Sequence, residues 1–218
     1  MNSYPKMYII PGLGTDGRIF QQLRLQNLDF EVVEWETPEK NEPYETYLQR
    51  MAEKIRTDEP FVLAGVSFGG MCAQSLAPQL KPEKLVLIST IRRPDQFPFY
   101  LRHAIQLKMN RWVDGPTIKF FAKLVLPIRS NAKFPDGRRV SSIVDQADPY
   151  LLKWSIDKAA EWQSVDWNGP TLHLHGDKDI LFPISLQGEV TPIKGGNHLA
   201  IFEKAEEIAE RIKDFVRQ

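Results

Sequence analysis

Apolar residues in this chain fall in short runs, each ending in small or turn-forming residues and followed by a stretch with helical spacing. Met7 to Ile10 runs into Pro11-Gly12-Leu13-Gly14. Phe30 to Trp35, Phe61 to Ala64, Leu85 to Ile88 and Thr171 to Leu174 follow, with a weaker run from Val190 to Ile193. Runs of this kind, without strict alternation, mark strands covered on both faces. Between them lie helical stripes: Tyr44, Tyr47, Leu48, Met51 and Ile55 form one, and Ala205, Ile208, Ala209, Ile212, Phe215 and Val216 another. The alternation predicts an α/β protein: a mostly parallel sheet of about six strands flanked by helices, with functional loops at the carboxyl ends of the strands.

From about Ile91 to Asp166 the alternation stops. This stretch holds no convincing strand and reads as several helices, divided by turn signals at Asp114-Gly115-Pro116, Pro135-Asp136-Gly137 and Asp148-Pro149. The expected organisation is a core of residues 1–90 and 167–218 with a helical cap, or lid, inserted at 91–166. Ten aromatics fall in the insertion: Phe97, Phe99, Tyr100, Trp112, Phe120, Phe121, Phe134, Tyr150, Trp154 and Trp162. Most are expected to pack the insertion onto the sheet, and some to line an apolar pocket beneath it.

Composition narrows the function classes. A length of 218 residues supports one well-filled core rather than two ordinary domains. With 28 basic and 28 acidic residues interspersed, no net field favours nucleic acid or an anionic membrane. The first apolar run is too short for a secretion signal, and no segment approaches the ~20 apolar residues of a membrane span. A single cysteine, Cys72, rules out an internal disulfide and fits a cytoplasmic setting.

The chemistry centres on Gly65-Val66-Ser67-Phe68-Gly69, a G-x-S-x-G sequence between the run ending at Ala64 and a plausible helix from about Gly69 to Leu80. Chance alone yields such a match in roughly one window of 3,000, so partners must be found. The order serine, acid, histidine is required downstream. The run Thr171 to Leu174 ends in His175-Gly176-Asp177-Lys178-Asp179, offering Asp177 and Asp179, and His198 in Gly195-Gly196-Asn197-His198 is the only histidine beyond them. Acyl transfer also needs two backbone N–H groups aimed at the developing oxyanion. Phe68, after the serine, supplies one; Leu13, in the loop after the first run, is placed to supply the other.

Together these segments resemble the α/β-hydrolase superfamily, in its compact cap-bearing serine esterase branch, over essentially the whole chain. The resemblance implies Ser67 as nucleophile, His198 as base and Asp179 as orienting acid, the spacing to Pro183 favouring Asp179 over Asp177. It implies no cofactor and no metal, a small-molecule ester or thioester substrate with an apolar group, and an acyl-enzyme intermediate. The chain departs from the family in having Pro11 before the oxyanion-loop glycine, no counterpart of the first two strands, and only nineteen positions between Asp179 and His198, so the intervening helix is expected to shrink to a turn. The same fold and triad also serve lyases and C–C hydrolases, or a ligand-binding sensor with little turnover. A dehalogenase of the haloalkane type would need a carboxylate where Ser67 stands.

Other residues have plainer readings. His173-Leu174-His175-Gly176-Asp177 could open a metal site, but Lys178 follows and three protein ligands do not accumulate, so structural histidines are expected. His103 is read as a surface or cap-packing residue and Cys72 as a small buried hydrophobe. Thr15 and Asp16 are expected to cap the next helix, with Arg18 a remote candidate for touching substrate.

Overall fold

The computed structural model describes residues 5–120 and 136–218, with 136–140 described by backbone only. Its strands are β1 (Lys6–Ile10), β2 (Glu31–Val32), β3 (Phe61–Val66), β4 (Lys84–Ile88), β5 (Thr171–Gly176) and β6 (Thr191–Ile193). They form one all-parallel sheet in the order β2-β1-β3-β4-β5-β6.

The continuous apolar runs follow from burial on both faces. Successive strand residues point to opposite sides. Thus Met7 and Ile9 enter one layer with Val62, Ala64 and Val86, while Tyr8 and Ile10 enter the other with Leu63, Leu85 and Leu87. The first layer is closed by helices α1 (Gln21–Arg24) and, near the C-terminus, Ala200–Glu203 and Ala205–Arg217. The second is closed by α2 (Tyr44–Ala52) and α3 (Phe68–Leu80). Each fully buried Ile or Leu in these layers contributes about 1.5–3 kcal/mol.

One strand is much shorter than its apolar run. Of Phe30 to Trp35 only Glu31–Val32 is strand. Val33 still donates its N–H to the Ile9 carbonyl at 2.9 Å. Beyond it the chain leaves the sheet edge, because Trp35 turns to stack between Tyr47 and Phe68. Its hydrophobicity serves a layer contact rather than a ladder.

Between β4 and β5 no strand occurs among the described residues. Helices α4 (Phe99–Gln106), α5 (Asp136–Gln146) and α6 (Pro149–Glu161) lie there, with a helical turn after Asp114. The Asp148-Pro149 signal is the start of α6: the Asp148 carboxylate accepts the Tyr150 N–H at 2.9 Å and Pro149 occupies the first turn. Asp136 and Gly137 open α5 instead of forming a turn, while Pro135 lies outside the described residues. Phe97, Trp154 and Trp162 are buried against the sheet layer holding α2 and α3, whereas Phe99, Tyr100, Trp112, Phe120 and Tyr150 are exposed. Phe121 and Phe134 lie outside the described residues. Among the described residues no helix is long and apolar enough to cross a membrane.

The topology creates the site. From β1 the chain moves outward to β2, then returns past β1 to β3, so the loops after β1 and β3 diverge. Such a switch point opens a crevice at the carboxyl edge of a parallel sheet.

Candidate active site

Ser67 sits in the turn between β3 and α3 with φ 52° and ψ −119°. A non-glycine residue held at positive φ stores on the order of 1–3 kcal/mol of strain, so the surroundings must hold it. Its N–H donates to the Ile88 carbonyl at 2.9 Å, and its carbonyl accepts the Thr90 hydroxyl at 2.7 Å. The flanking glycines are steric necessities: a Cβ on Gly65 would lie 2.3 Å from the Gly69 carbonyl oxygen, and one on Gly69 would lie 2.2 Å from that of Pro11. Ser67 occupies the N-cap position of α3, yet its side chain makes no cap hydrogen bond. The hydroxyl is thereby left to another partner.

That partner is His198, whose Nε2 lies 3.0 Å from Ser67 Oγ. On the other side of the ring, Nδ1 lies 2.8 Å from Asp179 Oδ2. Asp179 is buried, and burial alone would push its carboxyl up. The electrostatic attraction of the His198 ring, hydrogen bonds from His175 and His198, and the Phe182 amide outweigh burial and hold it well below the usual carboxylate range. An ionised carboxylate only accepts, so Nδ1 carries the ring proton and Nε2 is free to accept from the Ser67 hydroxyl.

The acid's remaining acceptor sites are also filled. Asp179 Oδ1 takes the N–H groups of Leu181 and Phe182, both at 2.9 Å. His175 Nε2 donates to the Phe182 carbonyl at 2.7 Å and approaches Asp179 Oδ2 at 3.4 Å. Asp177, the other carboxylate left open by the residue order, does not reach the imidazole. It accepts the Gly195 N–H at 2.7 Å, and Lys178 N–H donates to the Gly196 carbonyl at 2.8 Å. These two bonds tie the acid loop to the histidine loop, a bracing role that residue order alone does not reveal. The stretch between Asp179 and His198 contains no α-helix, only a short 3₁₀ turn, Ile184–Leu186, and the strand β6.

The loop after β1 runs beside the serine. A Cβ on Gly12 would stand 3.5 Å from Ser67 Cβ. Phe68 opens α3, where the first N–H groups have no intrahelical partner. Among the described residues neither the Leu13 nor the Phe68 amide donates a hydrogen bond.

A cavity of about 390 Å³ opens on Ser67 and His198. Leu13, Ile19, Leu181, Leu199 and Ile201 line it from the sheet loops; Val113, Ile118 and Ile156 line it from the stretch between β4 and β5. The described wall is uncharged and aliphatic, so the insertion's contribution comes from branched side chains rather than from its aromatics. A larger cavity of about 580 Å³, beside Tyr44, Ser75 and Trp162, does not include Ser67.

Of the remaining candidates only Thr15 lines the cavity at Ser67. Thr15 is not a helix cap; its hydroxyl donates to the Gly12 carbonyl at 2.8 Å. Asp16 caps the 3₁₀ turn Gly17–Phe20 and pairs with Arg18, which also donates to Gln146 and does not line the cavity. His103 is exposed on α4. Cys72 is buried, and burial pushes its thiol up to about 12.

His173 and His175 are both buried, their rings 5.5 Å apart. Burial, then the neighbouring His175 and Arg92, pull His173 down to about 3, against a hydrogen bond to the Thr90 carbonyl. An unfolded histidine titrates near 6.5, so between that value and 3 unfolding takes up a proton here and stability falls as pH drops. The full shift corresponds to roughly 5 kcal/mol. His173→Gln, which keeps a donor for Thr90, is expected to flatten urea-denaturation stability between pH 7 and 4 relative to the parent. An unchanged pH slope would refute this assignment.

No protein-family model matches the chain, and no curated protein sequence matches it significantly. Solved structures do. MenH from S. aureus superposes with a TM-score of 0.74 at 16% identity, covering 100% of this chain and 95% of that one. An esterase from Thermogutta terrifontis gives 0.73 at 18%, covering 98% and 89%. A lipase-esterase related protein from Clostridium acetobutylicum gives 0.73 at 17%, covering 98% and 95%. The chain has the α/β-hydrolase fold.

Proposed function

We propose that this protein is a serine hydrolase cleaving a carboxylic ester or thioester that carries an aliphatic group. One observation carries the reading: the Ser67–His198–Asp179 line, with contacts of 3.0 and 2.8 Å, opens directly on an uncharged aliphatic cavity. Nucleophile, base and orienting acid stand in hydrogen-bonding order, which is the geometry acyl transfer requires. The esterase names of two structural neighbours support the same class.

His198 takes the Ser67 proton as Oγ attacks the carbonyl carbon, and the oxyanion rests on the N–H groups of Leu13 and Phe68. Collapse of the tetrahedral intermediate expels the alcohol or thiol, which receives its proton from His198. Water, deprotonated by His198, then attacks the acyl-enzyme and releases the acid. No cofactor enters any step, and the single buried cysteine suits a cytoplasmic setting. Residues 91–166 act as the lid, supplying Val113, Ile118 and Ile156 to the acyl pocket.

The test combines fluorophosphonate labelling, read by peptide mass spectrometry, with a p-nitrophenyl ester series of increasing acyl length. One adduct on Ser67 is expected. Specificity should rise by up to about fourfold per added methylene, the equivalent of ~0.8 kcal/mol each, until the cavity is full, and a carboxylate-bearing acyl group should be poor. A folded protein that stays unlabelled and hydrolyses no ester would overturn the reading.

A further inference from the structure

We infer that Trp35 is a positioning residue that sets both oxyanion donors through one indole; the inference rests on the serine hydrolase reading above. Its Nε1–H donates to the Gly12 carbonyl at 3.2 Å. Its ring stacks on Phe68, with centroids 5.7 Å apart and planes 24° apart. One side chain therefore touches the peptide that bears the Leu13 N–H and the residue that bears the second donor.

The Gly12–Leu13 peptide is planar and trans, so its carbonyl and its N–H point in opposite directions. Fixing one fixes the other. The Gly12 carbonyl accepts from Trp35 Nε1, from Thr15 N–H at 3.1 Å and from Thr15 Oγ1 at 2.8 Å. With three donors on one oxygen the carbonyl is held toward Thr15 and Trp35, and the Leu13 N–H is held away from them. Glycine imposes little steric barrier to rotating this peptide. A flipped peptide would turn an acceptor, rather than a donor, toward the reacting carbonyl. The three bonds are what oppose that flip.

Trp35 is itself clamped from behind. It stacks on Tyr47 with centroids 6.4 Å apart. The Tyr47 hydroxyl donates to the Glu36 carbonyl at 2.9 Å and accepts the Glu36 N–H at 3.2 Å. The contacts run from α2 through Trp35 to the peptide beside Ser67.

The experiment uses Trp35→Phe, which keeps an aromatic ring on Phe68 but removes the N–H, and the pair Thr15→Val and Thr15→Ser. Steady-state kinetics on the best p-nitrophenyl ester are measured alongside inhibition by a trifluoromethyl ketone, whose serine adduct mimics the tetrahedral oxyanion. For Trp35→Phe, kcat should fall about tenfold, short of the roughly 10²–10³ lost when a donor itself is removed. KM should stay within about twofold, the pH profile should not move, and ketone affinity should weaken by the same factor as kcat/KM. Thr15→Val should behave likewise, and Thr15→Ser should recover most of the loss. Native kcat in both Trp35→Phe and Thr15→Val would overturn the inference, as would a kcat loss without a matching loss of ketone affinity. If Trp35→Phe does not fold, the Thr15 pair decides. Failure of the parent protein to label on Ser67 would overturn the hydrolase reading, which these variants do not probe.

Discussion

Ser67→Ala is expected to lower ester turnover by roughly 10⁴- to 10⁶-fold, the range seen when a nucleophile acting as part of a unit is removed. The reason is covalent: without Oγ no acyl-enzyme forms, and His198 has only water to activate. The substitution deletes one hydroxyl and its 3.0 Å contact with His198 while leaving the backbone anchors to Ile88 and Thr90 in place. Its thermal midpoint should therefore shift by no more than about 2–4 °C. His198→Ala should cost a similar factor, and the double variant little more, because the pair works as one device. Turnover above a hundredth of the parent value in Ser67→Ala would show that the reaction does not pass through this serine.

Asp179→Asn is expected to cost roughly 10⁴-fold in kcat with KM nearly unchanged. An amide there can donate to Nδ1 and so favours the tautomer that puts the proton on Nε2, facing Ser67 with a donor where an acceptor is needed. Asp177→Asn provides the contrast. Its side-chain oxygen can still accept the Gly195 N–H, so activity should stay within about threefold, a tie worth about 1 kcal/mol being kept. Equal losses in the two variants would assign the acid's effect to loop rigidity rather than to the imidazole. Because Asp179 is held well below the usual carboxylate range, its ionisation supports the fold above the unfolded carboxylate value and is lost only in strong acid.

The strands were legible because an all-parallel sheet leaves apolar residues on both faces, and Met7 to Ile10 or Leu85 to Ile88 has no other reading of comparable length. Phe30 to Trp35 misled for the opposite reason: Trp35 is apolar on behalf of Tyr47 and Phe68, and no local pattern separates that from a ladder position. At the site, the G-x-S-x-G motif singled out Ser67 and chain order singled out His198, and the structure draws them within hydrogen-bonding distance. Asp177 and Asp179 are two positions apart and chemically identical. Residue order left both open and the resemblance, through the spacing to Pro183, favoured Asp179; the structure places Asp179 against the imidazole and Asp177 on the Gly195 amide, where it braces the neighbouring loop. Trp35 and Thr15 were not legible as partners of Gly12, since the Trp35 bond joins residues 23 positions apart. Nor did the aromatic content of the insertion indicate an aliphatic pocket wall, because volume needed to cover the sheet and volume needed to hold a ligand look alike in sequence.

The two outermost strands have a consequence of their own. A parallel sheet ends in rows of unpaired amide and carbonyl groups, which can template pairing with another molecule. Here one margin is β2, two residues long, and the other is β6, three residues long with Pro192 at its centre. Proline has no N–H to offer. The long strands, β3 and β5, are interior and already paired on both sides. A crowded solution of this protein thus meets margins too brief to recruit a further strand, while β1, β3 and β5 remain inside with Leu13, Ser67 and Asp179 on the loops that follow them, and only His198 follows a marginal strand.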